Sequence, residues 1–302
     1  MVKQQSVSQM KARLSELRKT NQRQSELVLE LAEAIQSGQG ARSLAAAFSD
    51  EAERWDVLEQ VARAAMDCGR ARPTRGEEES LAATLVKQLA ARFPESNRVK
   101  LLQGELFEAQ GDWAGATQLY DELLTETPNH AAATKRKAVI FKSRGDIPKA
   151  ISVLAAYVQQ AMADYEAWVE LSELYLSRGD FQRAAFCFEE LILSNPLSPV
   201  YHIRYAETLY TMGSLENLQL ARKHYANACK IQPDDARSLL GLYMTCSALN
   251  SEKFIKQRTP INEELEAFAV SRLKQLYSKQ ASAPQLECLN ETFSKMALTT
   301  SS

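Results

Sequence analysis

Residues 165–196 read YEAWVELSELYLSRGDFQRAAFCFEELILSNP. Trp168, Leu171 and Tyr175 recur at three- and four-residue steps, the spacing that keeps side chains on one face of an α-helix. The pattern breaks at Gly179-Asp180 and resumes with Ala184, Phe188 and Leu191, until Pro196 stops it. Glycine can take the positive φ that ends a helix, and aspartate can cap the start of the next. The stretch therefore predicts two helices joined by a tight turn, each too short to bury its apolar stripe alone.

The same punctuation recurs at Gly111-Asp112 and Gly145-Asp146, so the three Gly-Asp pairs lie 34 residues apart. That is the period of the tetratricopeptide repeat, a helix–turn–helix unit that stacks on copies of itself. The unit from Asn97 carries Gly104 and Ala116 where its helices cross, with Phe107, Tyr120 and Leu123 between them and Pro128 at the end. The unit from Ala131 keeps Ala138, Phe141, Gly145 and Ala150 but has Met162 in the place of the closing proline. The unit from Pro199 keeps Ala206, Gly213, Ala221, Tyr225, Ala228 and Pro233, and its turn is expected to carry a three-residue insertion within 214–220. A fifth unit opens at Ala236 with Leu239, Leu242 and Cys246 and then loses the pattern. The expected fold is all-α: a right-handed tetratricopeptide α-solenoid with atypical capping helices at both ends.

Working outward, residues 1–49 are expected to form capping or docking helices, with Met10, Leu14, Leu17, Leu27, Val28, Leu31 and Ile35 on amphipathic faces. Residues 50–96 read as a degenerate repeat, one helix near 50–67 and another at 80–92. Between them 69–79, with Pro73, Gly76 and a run of charge, is expected to be a solvated loop insertion. The repeats proper occupy 97–250, as units near 97–130, 131–164, 165–198, 199–235 and a partial 236–250. Residues 251–302 are expected to supply C-terminal capping helices and a tail. One helix, at 261–280, places Leu265, Phe268, Leu276 and Tyr277 on a stripe, and another lies near 285–297.

Composition narrows the function. Gly 11 and Pro 9 make roughly 7% of 302 residues, where about 12% is usual, which suits a chain helical throughout. Lys+Arg 36 against Asp+Glu 38 gives a net charge of −2, so the basic excess that phosphate backbones require is absent and no nucleic acid partner is expected. The stretch 238–251, free of Asp, Glu, Lys and Arg, is too short and too polar for a membrane span, and no such stretch in the chain is longer. The opening residues lack the apolar core of a secretory signal, and the basic run before Glu26 is expected to be the face of a docking helix. Five cysteines without a CxxC read as reduced, small apolar residues of a cytosolic protein. His130, His202 and His224 form no HExxH and have no cysteine at ligand spacing. No GxSxG, GxxxxGK[ST] or GxGxxG occurs, so no enzyme, metal or cofactor is expected. The two Arg-Gly-Asp triplets fall in repeat turns and carry no adhesion role, and Asn290-Glu291-Thr292 would accept a glycan only in a secreted chain.

A solenoid of this kind binds on its concave face, which the first helix of each unit lines. The candidate partner-binding residues there are Arg98, Leu101, Glu105, Lys135, Val139, Lys142, Glu166, Val169, Glu173, Val200, Ile203, Glu207 and Tyr210. The mixture of apolar and charged groups suits a protein surface or a helix. Repeat proteins that grip the acidic tails of Hsp70 and Hsp90 use a clamp of Lys, Asn, Asn, Lys and Arg. In the best frame Lys135 and Arg204 match, but Val139, Glu170 and Val200 fill the other places, and a glutamate repels a carboxylate ligand.

Several strings are more specific than the generic repeat: Arg92-Phe93-Pro94, Arg98-Val99-Lys100, Phe107-Glu108-Ala109, Gln118-Leu119-Tyr120-Asp121, Lys135-Arg136-Lys137, residues 184–191 (AAFCFEEL), Leu215-Glu216-Asn217-Leu218 and Gly241-Leu242-Tyr243-Met244. Together they resemble the family of subunit 2 of the endoplasmic reticulum membrane protein complex, from about Trp55 to Met244. The resemblance implies a non-catalytic, peripheral scaffold on the cytosolic face of that membrane. It would hold cytosolic segments of the transmembrane subunits and dock another soluble subunit, in a hetero-oligomeric complex that inserts tail-anchored and multipass proteins. The alternative is a free cytosolic peptide-binding or co-chaperone adaptor.

Overall fold

The structure is a computed structural model that describes residues 6–38, 44–73, 79–251, 254, 259–280, 284–285, 287–288 and 291. Among these residues the fold is all-α: α1 (Val7–Lys19), α2 (Ser25–Gly38), α3 (Glu51–Asp67), α4 (Leu81–Arg92), α5 (Asn97–Gln110), α6 (Trp113–Glu126), α7 (Ala131–Ser143), α8 (Ile147–Gln160), α9 (Tyr165–Ser177), α10 (Phe181–Ser194), α11 (Pro199–Met212), α12 (Leu215–Ile231), α13 (Ala236–Asn250) and α14 (Pro260–Gln280). Helices α5, α7, α9 and α11 start 34 residues apart. The chain forms two compact units, 1–153 and 154–302, whose boundary falls inside α8.

The turns show how few residues punctuate the repeat. Gly111, Gly145, Gly179 and Gly213 all take positive φ, between 68° and 83°, in the left-handed region that closes a helix without a Cβ clash. The next residue caps the following helix. The backbone N–H of Gly115 donates to Asp112 Oδ1 (3.0 Å), that of Lys149 to Asp146 Oδ1 (3.3 Å) and that of Arg183 to Asp180 Oδ1 (3.2 Å). Ser214 plays this part in the fourth turn, accepting from Asn217 N–H at 3.2 Å.

In the first unit each helix from α1 to α7 packs on its chain neighbour, and the first helices α3, α5 and α7 also meet one another. One core joins α1 to α5, with Leu14, Leu17, Leu31, Ile35, Leu58 and Leu102 almost wholly buried. A smaller cluster of Ala116, Tyr120, Leu123, Ala133 and Ile140 continues it. Tyr120 sits against the bare backbone of Gly104, so close that a Cβ there would overlap its ring. In the second unit α9 to α14 pack in chain order, and the Tyr225 ring of α12 covers Gly241 of α13 in the same way.

Three expectations are corrected. The three-residue insertion near 214–220 does not lengthen the turn, which is only Gly213-Ser214. It extends α12 to 17 residues, against 14 in α6 and α10. Ser214 caps immediately and Leu215-Glu216-Asn217 contains no breaker, so the extra residues become helix. The insertion at 69–79 is anchored at its start. Ala71 is buried, and its carbonyl accepts from Ser80 Oγ (2.9 Å) and Gln110 Nε2 (3.1 Å), while Arg72 donates to the Gln110 carbonyl. Residues 74–78 lie outside the described residues. In α14 the buried face is Asn262, Ala269 and Leu273, the side of the helix that packs on α13. Phe268 and Tyr277 are left exposed. Most of the helix expected near 285–297 lies outside the described residues.

Candidate functional site

The first unit holds a cavity of about 710 Å³. Its floor is α3 with Arg98 and Glu105 of α5 and Arg136 of α7, and its rim is the end of α1, from Arg18, with the turn into α2 as far as Ser25. This is the inner face of the first helices, which the repeat geometry turns away from the second-helix layer.

The floor is a lattice of guanidinium and carboxylate groups. Glu59 accepts from Arg63 Nη1 (2.5 Å) and Arg98 Nε (2.5 Å), and Arg98 also reaches Asp56 (3.2 Å). Glu105 accepts from Arg63 Nε and from Arg136 Nη2, both at 3.1 Å, and Arg136 reaches on to Glu108 at 3.5 Å. Glu105 and Glu108 are nearly enclosed, and such carboxylates persist in a fold only when paired. Burial pushes the Glu108 carboxyl above its usual range, against the Tyr120 hydroxyl that donates to it at 2.5 Å and the nearby Arg136. At the rim Arg23 makes a two-point contact with Asp67 (2.6 and 2.8 Å), and Ser25 Oγ donates to the same carboxylate at 2.6 Å. The Arg23 hydrogen bond, ahead of opposing burial, holds Asp67 below the usual carboxylate range. Asp67 thereby ties the α1–α2 turn to the end of α3.

The structure brings Arg98 and Glu105 together in this cavity. Leu101 and Lys135 are half-buried in the same unit, and Val139 and Lys142 are exposed on α7. In the second unit Glu173 and Glu207 flank Arg204, and Glu207 also accepts from Arg237 of α13 (2.5 and 2.7 Å). Glu166 and Val200 are exposed, Val169 and Tyr210 are half-buried, and Ile203 is buried, so its side chain belongs to the core and not to a binding surface. Sequence reasoning missed Arg63, Arg136, Arg23 and Asp67 as members of the charged site. A signal for one of them existed: Glu105 and Arg136 lie 31 residues apart, as do Glu173 and Arg204, one helical turn short of the repeat. Arg204, which matched the chaperone-clamp frame, is engaged by Glu173 and Glu207.

Burial disfavours the thiolate form of the enclosed cysteines. Burial pushes Cys187 and Cys246 each up to about 12. Among the described residues no group of three or more His, Cys, Asp or Glu could hold a metal ion, and no helix is long and apolar enough to cross a membrane. The second unit exposes several large apolar side chains, including Met162, Phe186, Leu193 and Leu197, the last two about three-quarters accessible. Phe186 stands edge-on to the buried Trp168 at 6.1 Å, and Trp168 Nε1 donates to the backbone carbonyl of Met162.

A family model described as the EMC2 TPR-like repeat domain matches residues 85–216. The chain is 38% identical over 269 residues to ER membrane protein complex subunit 2 of Xenopus tropicalis, spanning 89% of this chain and 86% of that one. It is 34% identical over 183 residues to the subunit of that name in Dictyostelium discoideum, covering 60% and 54% of the two chains. Similarity also extends to TPR repeat protein oca3 of Schizosaccharomyces pombe, at 30% over 72% of this chain and 74% of that one. Among solved structures, the C-terminal part of a TPR repeat-containing protein from Cytophaga hutchinsonii superposes with a TM-score of 0.59 over 91% of this chain and 98% of that one. At 12% identity this match speaks to the fold alone.

Proposed function

Because the chain belongs to the ER membrane protein complex subunit 2 family, we propose that it is the non-catalytic scaffold of that complex, peripheral on the cytosolic face of the endoplasmic reticulum membrane. In this role it supports insertion of tail-anchored and multipass proteins by holding cytosolic segments of the membrane subunits on its first-helix faces. The observation that carries the reading is identity spread over 89% of the chain, which includes both compact units. Concave-face docking assigns partner contacts to Arg98, Leu101, Glu105, Lys135, Val139 and Lys142 in the first unit, and to Glu166, Val169, Glu173, Val200, Glu207 and Tyr210 in the second.

Carbonate extraction tests the placement. The tagged chain should sediment with endoplasmic reticulum membranes in ordinary buffer and pass to the supernatant at pH 11, as a peripheral subunit does. A chain found wholly in the soluble fraction before extraction contradicts the reading.

A further inference from the structure

We propose that the cavity of the first unit receives an acidic segment of a protein partner, drawn by Arg18 and Lys19 at its rim. The inference rests on the scaffold reading and names the chemistry of what this cavity holds.

The argument is a charge count. Four carboxylates line the cavity, those of Asp56, Glu59, Asp67 and Glu105, and each is engaged by at least one of Arg23, Arg63, Arg98 and Arg136. Behind the lining Arg136 also holds Glu108, so the four guanidinium groups answer five carboxylates and leave no cation of the floor free for a ligand. Arg18 and Lys19 line the same cavity, and among the described residues neither meets a carboxylate. Arg18 Nη1 donates only to the amide oxygen of Gln60, at 3.3 Å. The carbonyls at the end of α1 offset part of this charge, about half of one unit. A net positive potential is left at the mouth of a cleft whose volume suits a few residues of peptide.

The same count favours a protein over nucleic acid. A phosphate backbone is charged at every nucleotide and needs an extended basic excess, which two rim cations on a chain of net charge −2 do not supply. An acidic peptide can place one or two carboxylates on the rim while its backbone meets Gln22, Gln24 and Ser25, which also line the opening. Such a contact acts mainly on encounter rate and register, as complementary rim charge does elsewhere.

The test uses the full chain and fluorescence anisotropy with three labelled probes: a dodecapeptide of alternating Glu and Ser, its Gln-Ser isostere, and a single-stranded RNA dodecamer. The expected result is at least tenfold tighter binding of the acidic peptide than of either other probe, weakening as salt rises from 50 to 300 mM. The double variant Arg18→Gln/Lys19→Gln should lose at least tenfold of that affinity, and Lys19→Gln alone, a change at an exposed side chain, should lose part of it. Lys87→Gln, on the outer helix α4, should lose none. Equal binding of the neutral peptide, preference for RNA, or an unchanged Lys19→Gln and double variant would each overturn the inference. A wild-type chain that fails to co-purify with membrane subunits refutes the scaffold reading; one that assembles normally but shows no acidic preference refutes only this inference.

Discussion

Arg136 on α7 donates to Glu105 on α5 across 31 residues of chain, and the same step joins Arg204 on α11 to Glu173 on α9. Successive first helices in each unit are thus stitched at their inner faces by long side chains, one turn out of register with the 34-residue repeat. Glu105 is held twice, by Arg63 and Arg136, and is nearly enclosed. Glu105→Ala should therefore cost about 2–3 kcal/mol, because two guanidinium groups lose a shared acceptor. Urea unfolding at pH 7 measures it, with Glu173→Ala, at a half-exposed site, expected below about 1 kcal/mol.

Gly179 has open space where a Cβ would stand, so its substitution isolates the backbone. Its φ of 71° costs an ordinary L-residue about 1–2 kcal/mol. Gly179→Ala should lower stability by about 1 kcal/mol and Gly179→Asn by less, read from the shift in urea midpoint. Helix content in the folded baseline should be unchanged.

That turn also marks how far the sequence was legible. Gly111, Gly145 and Gly179, each followed by Asp, announced the repeat because a positive φ and a cap leave few residue choices. Tyr120 and Gly104 could be placed for a similar reason, since close helix crossing needs a small residue. The charged cavity was much less legible. Arg63 joins it through a contact 42 residues away, set by how α3 meets α5, and Arg23 through one 44 residues away, set by how the α1–α2 turn folds onto α3, and no period announces those. The insertion near 214–220 was misplaced because sequence locates extra residues without saying whether helix or turn absorbs them. On α14 Ala269 and Leu273 took the buried face against α13 and left Phe268 outside, a choice set by which turn of the helix meets α13.

The Tyr120 hydroxyl donates to Glu108 inside the first unit, and burial already holds that carboxyl above its usual range. Tyr120→Phe removes the donor and should cost about 1–2 kcal/mol at pH 7. An acid whose folded pKa is raised binds more protons folded than unfolded, so the fold gains stability as pH falls through that window. The deficit of the variant should therefore shrink between pH 7 and pH 5, and urea unfolding at both values checks it.

His202 and His224 meet in the second unit through their Nδ1 atoms at 2.8 Å. His202 Nε2 lies 3.0 Å from the Pro196 carbonyl, which can only accept, so Nε2 carries a hydrogen and Nδ1 accepts from His224. Burial, then the neighbouring His202, lowers His224 to about 4. The unfolded chain, titrating near 6.5, binds more protons between those values, so stability falls as pH drops from about 6.5 towards 4. The expected loss at pH 5 is on the order of 1–2 kcal/mol, discounted for partial exposure. His224→Gln should flatten this dependence in thermal melts taken from pH 7 to pH 5.

Native pull-down of the tagged chain from membranes in mild detergent, followed by mass spectrometry, tests the scaffold role most directly. The account predicts near-stoichiometric recovery of several transmembrane proteins together with a second soluble subunit. Recovery of the chain alone, or with chaperones from the soluble fraction, would contradict it.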